Sequence, residues 1–167
     1  MKLFVLILLN LLHVVANAQQ ISIRAGKSFT PADFLSLRYE HWSNSRLHLC
    51  LGGYMERSFR SGLNYSAYGL DLLLNCYATN ASYEDGRFGF KTGVGTLWQI
   101  EYEPWLYRDW TAKQRSSFGL TGEISGSWYM TEAFTLSNFF QQKILFNPKL
   151  GRSRFVVGIE LAYRPGL

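Results

Sequence analysis

Between Arg87 and Glu103 the even positions are Phe88, Phe90, Thr92, Val94, Thr96, Trp98, Ile100 and Tyr102. The odd positions are Arg87, Gly89, Lys91, Gly93, Gly95, Leu97, Gln99, Glu101 and Glu103. Side chains alternate faces along a strand. One face is therefore aromatic and β-branched, and the other is glycine, charge and amide, with Leu97 as the exception. The spacings of three and four that a helix requires are absent. Gly93-Val94-Gly95 opens no helix, which excludes a dinucleotide-binding loop.

The same period recurs. Phe118, Leu120, Ile124, Trp128 and Met130 oppose Ser117, Gly119, Thr121, Glu123, Ser125, Ser127 and Tyr129. Phe155, Val157, Ile159, Leu161 and Tyr163 oppose Arg154, Val156, Gly158, Glu160 and Ala162. The pattern predicts strands at 20–27, 34–42, 46–59, 64–76, 87–103, 116–130, 134–146 and 154–163. Ser43–Ser45, Tyr77–Gly86 and Thr131–Ala133 read as the simpler turns. Ser28–Asp33, Arg60–Leu63, Pro104–Arg115 and Asn147–Ser153 read as loops at the other end. The expected fold is all-β: an eight-stranded antiparallel up-and-down transmembrane β-barrel.

Period alone does not say which face points outward. A soluble periplasmic carrier of the lipocalin kind would turn the aromatic face inward. Three features favour the membrane. Five of the eight predicted strands exceed the about 9–11 residues needed to cross a bilayer at a tilt. The polar face is rich in glycine, which suits a narrow eight-stranded interior. Trp42, Trp98, Tyr102, Trp128, Tyr129 and Tyr163 lie toward strand ends, where an aromatic girdle would meet headgroups.

Composition agrees. Aromatic residues make up 16% of the chain while mean hydropathy is near zero, at −0.06. Half-apolar strands produce that combination. Leu3–Val15 is an apolar run behind Lys2, followed by Ala16-Asn17-Ala18. This has the form of a secretory signal peptide over 1–18, leaving 19–167 as one outer-membrane barrel domain of a Gram-negative bacterium. Lys and Arg number 17 against 12 Asp and Glu, without a basic cluster, so direct nucleic-acid binding is not expected. A modest basic excess suits contact with outer-membrane lipid.

Parity places Arg24, Arg38, Glu40, Glu56, Asp71, Lys91, Gln99, Glu101, Glu123, Gln141, Lys143 and Glu160 inside. Arg38, Glu40, Lys91, Glu101, Glu123, Lys143 and Glu160 are the expected lumen charge network, filling space by pairing rather than lining a channel. Cys50 falls on the polar face and Cys76 on the apolar one. Opposed residues share a face, so a disulfide would require a bulge, and two separate thiols are the simpler expectation. No metal-ligand spacing, cofactor motif or small-molecule substrate site emerges.

Two surfaces suggest function. Pro104–Arg115 holds Trp105, Tyr107, Arg108 and Trp110, the composition of a protein-contact hot spot, or of an interfacial girdle. His41-Trp42-Ser43-Asn44 resembles the His-x-Ser-Asn stretch of lipid A deacylases, small outer-membrane barrels with a Ser–His–Glu set. That resemblance implies His41 as base, Ser43 as nucleophile, and Glu56 or Glu40 as the orienting acid. Ordinary turn chemistry explains Ser43-Asn44-Ser45 equally.

Along its length the chain also resembles the TraO family of conjugative transposons in Bacteroidetes-type bacteria. The stretches are Ile21-Ser22-Ile23-Arg24-Ala25, Tyr65-Ser66-Ala67-Tyr68-Gly69, and Gly93-Val94-Gly95 leading to Glu101-Tyr102-Glu103. They continue with Trp128-Tyr129-Met130-Thr131-Glu132, Ile144-Leu145-Phe146-Asn147 and Val157-Gly158-Ile159-Glu160. The resemblance implies a non-enzymatic outer-membrane component of a conjugative DNA-transfer apparatus. Its partners would be the other proteins of that apparatus.

Overall fold

The structure, a computed structural model, describes residues 20–29, 32–42, 46–58, 65–78, 88–102, 114–146, 148 and 151–165. Its strands are β1 (Gln20–Ser28), β2 (Ala32–Trp42), β3 (Leu47–Arg57), β4 (Ser66–Tyr77), β5 (Phe88–Tyr102), β6 (Gln114–Tyr129), β7 (Phe134–Phe146) and β8 (Ser153–Tyr163). Each pairs antiparallel with its neighbours in sequence. β1 closes the barrel against β8 from Ile21 opposite Tyr163 to Ser28 opposite Val156. Closure leaves no unpaired edge, which a sheet in hydrocarbon cannot tolerate.

The paired residues also set the tilt. From Gln20 the register passes through Glu40, Cys50, Leu73, Gly95, Thr121 and Lys143 to Arg154 on β8. Arg154 already lies beyond the Val156–Ser28 pair. The register therefore climbs by about ten residues in one circuit, and the strands must incline to the barrel axis.

The two faces differ as their parity predicts, and the apolar one points out. Leu37, Leu51, Leu70, Leu72, Val94, Leu120, Ile124, Ile159 and Leu161 are all exposed on the outer wall. An apolar surface that wraps the whole molecule is stable only against lipid. A lipocalin-like carrier would require the reverse. The interior packs Phe34, Tyr54, Phe139 and Val156 together, and Ala32 with Tyr65 and Ala67. Glycines make room there. A methyl group on Gly69 would run into the Tyr54 ring, and one on Gly52 into Asp71 and Arg38.

Several expectations need correction. Tyr129 is not a girdle residue: it is buried, with its ring over Gly89. Its parity with Ser125 and Ser127 already turned it inward. Trp98, Tyr102, Trp128 and Tyr163 do face outward, and Trp98 Nε1 donates to Ser116 Oγ at 2.6 Å. The Trp42 side chain lies outside the described residues. The first connection is also shorter than expected. β1 and β2 pair as far as Ser28–Ala32, leaving only 29–31 between them, whereas β4 and β5 are separated by 78–87. Loop length is therefore not cleanly divided between the two ends.

Candidate functional site

The charged side chains converge in the lumen because successive inward positions on different strands meet at similar depths. Arg24 of β1 reaches across the barrel. Its Nη1 donates to Glu123 Oε2 at 2.7 Å and its Nε to Glu160 Oε2 at 2.7 Å. Arg38 of β2 donates to the same Glu123 oxygen at 2.8 Å and to Asp71 Oδ2 at 2.7 Å. Gln141 Nε2 donates to Asp71 at 3.2 Å and to Thr121 Oγ1 at 3.0 Å. Lys91 lies 3.4 Å from Glu40 and 3.7 Å from Glu160. His48 Nδ1 is 2.9 Å from Glu40 Oε1, which also accepts from Tyr77 Oη at 2.8 Å.

A second cluster lies toward the end opposite the termini. Lys143 Nζ donates to Glu56 Oε1 at 2.5 Å and stands 3.4 Å from the Tyr54 ring centroid. Arg154 pairs with Glu101 and Tyr65, and Tyr54 Oη donates to Gln99 Oε1 at 2.7 Å. The Phe34, Tyr54 and Phe139 rings link the two clusters. The Arg24 guanidinium lies 4.3 Å from the Phe139 centroid, and Lys143 Nζ 4.8 Å from that of Phe34. Cation–ring contacts of this kind help hold charge where water is scarce.

All of Arg38, Glu40, Lys91, Glu101, Glu123, Lys143 and Glu160 sit inside, each almost wholly buried and each in an ion pair. Sequence reasoning left Arg154, His48 and the hydroxyls of Tyr54, Tyr65 and Tyr77 out of this network. Parity was the available signal, since each shares a face with a charged neighbour on its strand. The arrangement is a set of compensated charges. Its chemistry is cohesion: Glu40, Glu56, Asp71, Glu101, Glu123 and Glu160 each face a cation carried by another strand.

Of the hydrolase residues that the structure describes, His41 and Glu56 are not brought together. His41 is exposed on the outer wall, opposite Leu49 near the end that carries the termini. Glu56 is buried in the lumen toward the other end, bonded to Lys143. Glu40 points inward to His48. Ser43 lies outside the described residues. So do Trp105, Tyr107, Arg108 and Trp110. Cys50 is buried in the lumen, Cys76 is exposed on the wall, and both are free thiols. Among the described residues no group of His, Cys, Asp and Glu is arranged to hold a metal.

No family profile matches the chain, and no curated protein matches it. Solved structures do. The N-terminal β-barrel domain of Pseudomonas aeruginosa OprF superposes with a TM-score of 0.67 at 11% identity, covering 88% of this chain and 98% of that one. Neisserial surface protein A gives 0.66 at 8% identity, covering 87% and 93%. The outer-membrane enzyme PagL gives 0.52 at 7% identity, covering 87% and 99%. At such identities the likeness is one of fold. The chain has the architecture of small eight-stranded outer-membrane barrels, a fold that serves an enzyme as well as surface proteins.

Proposed function

We propose that this chain is a non-enzymatic outer-membrane barrel, exported through a leader at 1–18, that acts as anchor and protein-contact element in a conjugative DNA-transfer apparatus. The observation that supports the anchor role is Glu123. It accepts from both Arg24 and Arg38 in the middle of the lumen, so strands β1, β2 and β6 are tied across the space a solute would need. With the interior occupied, function passes to the outer wall and the connections. His41 outside and Glu56 inside weigh against a hydrolytic set. The assignment to DNA transfer rests on the TraO-like stretches of the sequence.

The contact element is the connection between β5 and β6, with Trp105, Tyr107, Arg108 and Trp110 as its anchors. Removing 105–112 should abolish or strongly reduce conjugative transfer while the barrel still reaches the outer membrane and keeps its heat-modifiable gel mobility. Normal transfer by a correctly inserted deletion variant would refute the contact role.

A further inference from the structure

Acidic and basic side chains occupy one place on the outer wall. Among the described residues, the Lys, Arg, Asp and Glu at outward strand positions are Lys27 on β1, Asp33 on β2 and Arg57 on β3. Lys27 stands opposite Asp33, and Asp33 opposite Arg57, so the three form one row at the end away from the termini. β4 to β8 reach that end with Ser66, Tyr102, Gln114, Phe146 and Ser153 instead. The row is therefore local, not a belt of interfacial charge. The wall below it is hollow. Two residues further in come Ala25, Leu35 and Met55, then Ile23, Leu37 and Gly53. Gly53 has no side chain, which leaves a groove of about 410 Å³ between Ile23, Leu35, Leu37 and Met55. A second hollow of about 400 Å³ surrounds Thr96 on β5, with Trp98 and Phe118 toward its outer end and no outward charge above it.

We propose that the β1–β3 face binds a phosphate-bearing lipid of the lipid A class, with its phosphate against Lys27 and Arg57 and one acyl chain in the groove. With the termini in the periplasm, this end lies in the outer leaflet. Two cations flank one carboxylate, so the row keeps a net positive charge that suits an anionic headgroup. Lys27 pairs with Asp33, and both are exposed. An ammonium has three donors, so Lys27 keeps donors for a ligand while Asp33 holds it in place. The Arg57 guanidinium adds a five-donor fork that matches phosphate. The register climbs from β1 to β3, so Lys27 lies deeper than Arg57 and the two reach one headgroup at two depths. Leu35 and Met55 continue inward from Asp33 and Arg57 along the same strands, which leads an acyl chain from the charges into the groove. Free phosphate would leave the groove unused, and an uncharged lipid would leave the cations unused. The combination selects an anionic head on an apolar tail.

The inference rests on the membrane-barrel reading, and its test separates the two. Purified protein in non-ionic detergent is titrated with lipid A and with lipid A stripped of its phosphate, and bound lipid is counted by native mass spectrometry. One lipid A should be retained, and the stripped form should bind about tenfold more weakly, the scale of a lost charge-assisted hydrogen bond. Combined Lys27→Gln and Arg57→Gln should lose the same factor with lipid A and nothing with the stripped form. Gly53→Leu fills the groove, and a methyl there meets only Leu70 Cδ2, at 3.7 Å, so the barrel tolerates it. It should weaken both lipids, whereas Thr96→Leu in the second hollow should weaken neither. Retained heat-modifiable mobility shows that each variant folds. In membranes, a photo-reactive side chain at Met55 should label lipid. Equal binding of the two lipids, equal losses at Gly53 and Thr96, displacement by an equal concentration of inorganic phosphate, or labelling of a protein in place of lipid would each overturn the site. Recovery of the protein from the soluble fraction would instead defeat the membrane reading beneath it.

Discussion

At the residue scale, the interior is held by a few carboxylates that each serve two cations. Glu123 is the clearest, since both Arg24 and Arg38 end on it. Glu123→Gln keeps the volume but turns an amide group toward two guanidinium ions. Breaking one side of a buried ion pair costs roughly 3–5 kcal/mol. Urea unfolding of the variant in micelles should show a loss of that size. Glu132→Gln, in the exposed turn between β6 and β7, should stay within about 0.5 kcal/mol of the parent. A loss at Glu123 no larger than at Glu132 would mean that water, not pairing, solvates the lumen. The inward direction of these residues was legible from parity alone. Their partners were not. Arg24 and Glu123 stand 99 positions apart, and parity assigns a face but no depth. Tyr129 shows the converse: it lies near a strand end, yet its face, shared with Ser125 and Ser127, turns it inward.

At the element scale, the strands follow their alternation closely, and they depart from it at their ends. β6 begins at Gln114 because Gln114 and Arg115 continue the ladder opposite Tyr102 and Glu101. Hydrogen bonding between neighbours, not apolar period, decides where a strand stops. The same cause carries β1 and β2 to within three residues of one another. In the middle of each strand the lipid face dominates. Leu72 is the midpoint of the outward row Leu70, Leu72, Leu74 on β4. Leu72→Arg should lower stability in lipid by about 2–4 kcal/mol, the cost of a cation near the bilayer midplane. Leu47→Arg, at the first position of β3, should cost about 0–1 kcal/mol. Equal losses at the two positions would contradict the depth assigned to them.

At the scale of the whole molecule, closure and filling follow from one quantity, the stagger of the strands. A register that climbs by about ten residues per turn tilts eight strands enough to leave an interior that side chains can fill. It also brings β1, β2, β6 and β8 level at Arg24, Arg38, Glu123 and Glu160. No single strand contains that information, which is why the barrel was legible in the sequence and the wiring of its lumen was not. The wiring has a measurable consequence. An ion crossing at this level must displace Arg24 or Arg38 from Glu123, breaking two charge-assisted hydrogen bonds in the first case and one in the second, worth about 1.5–3 kcal/mol each. It would then face Lys143 and Arg154, each held by a carboxylate of its own. Purified protein in planar bilayers should therefore show no long-lived conductance steps in molar salt. Combined Arg24→Ala and Arg38→Ala replacement should admit ions only if the second cluster also yields, so adding Lys143→Ala should raise conductance further. Stable open steps from the unaltered chain would show that the charges line a channel and would return the interior to the list of functional sites.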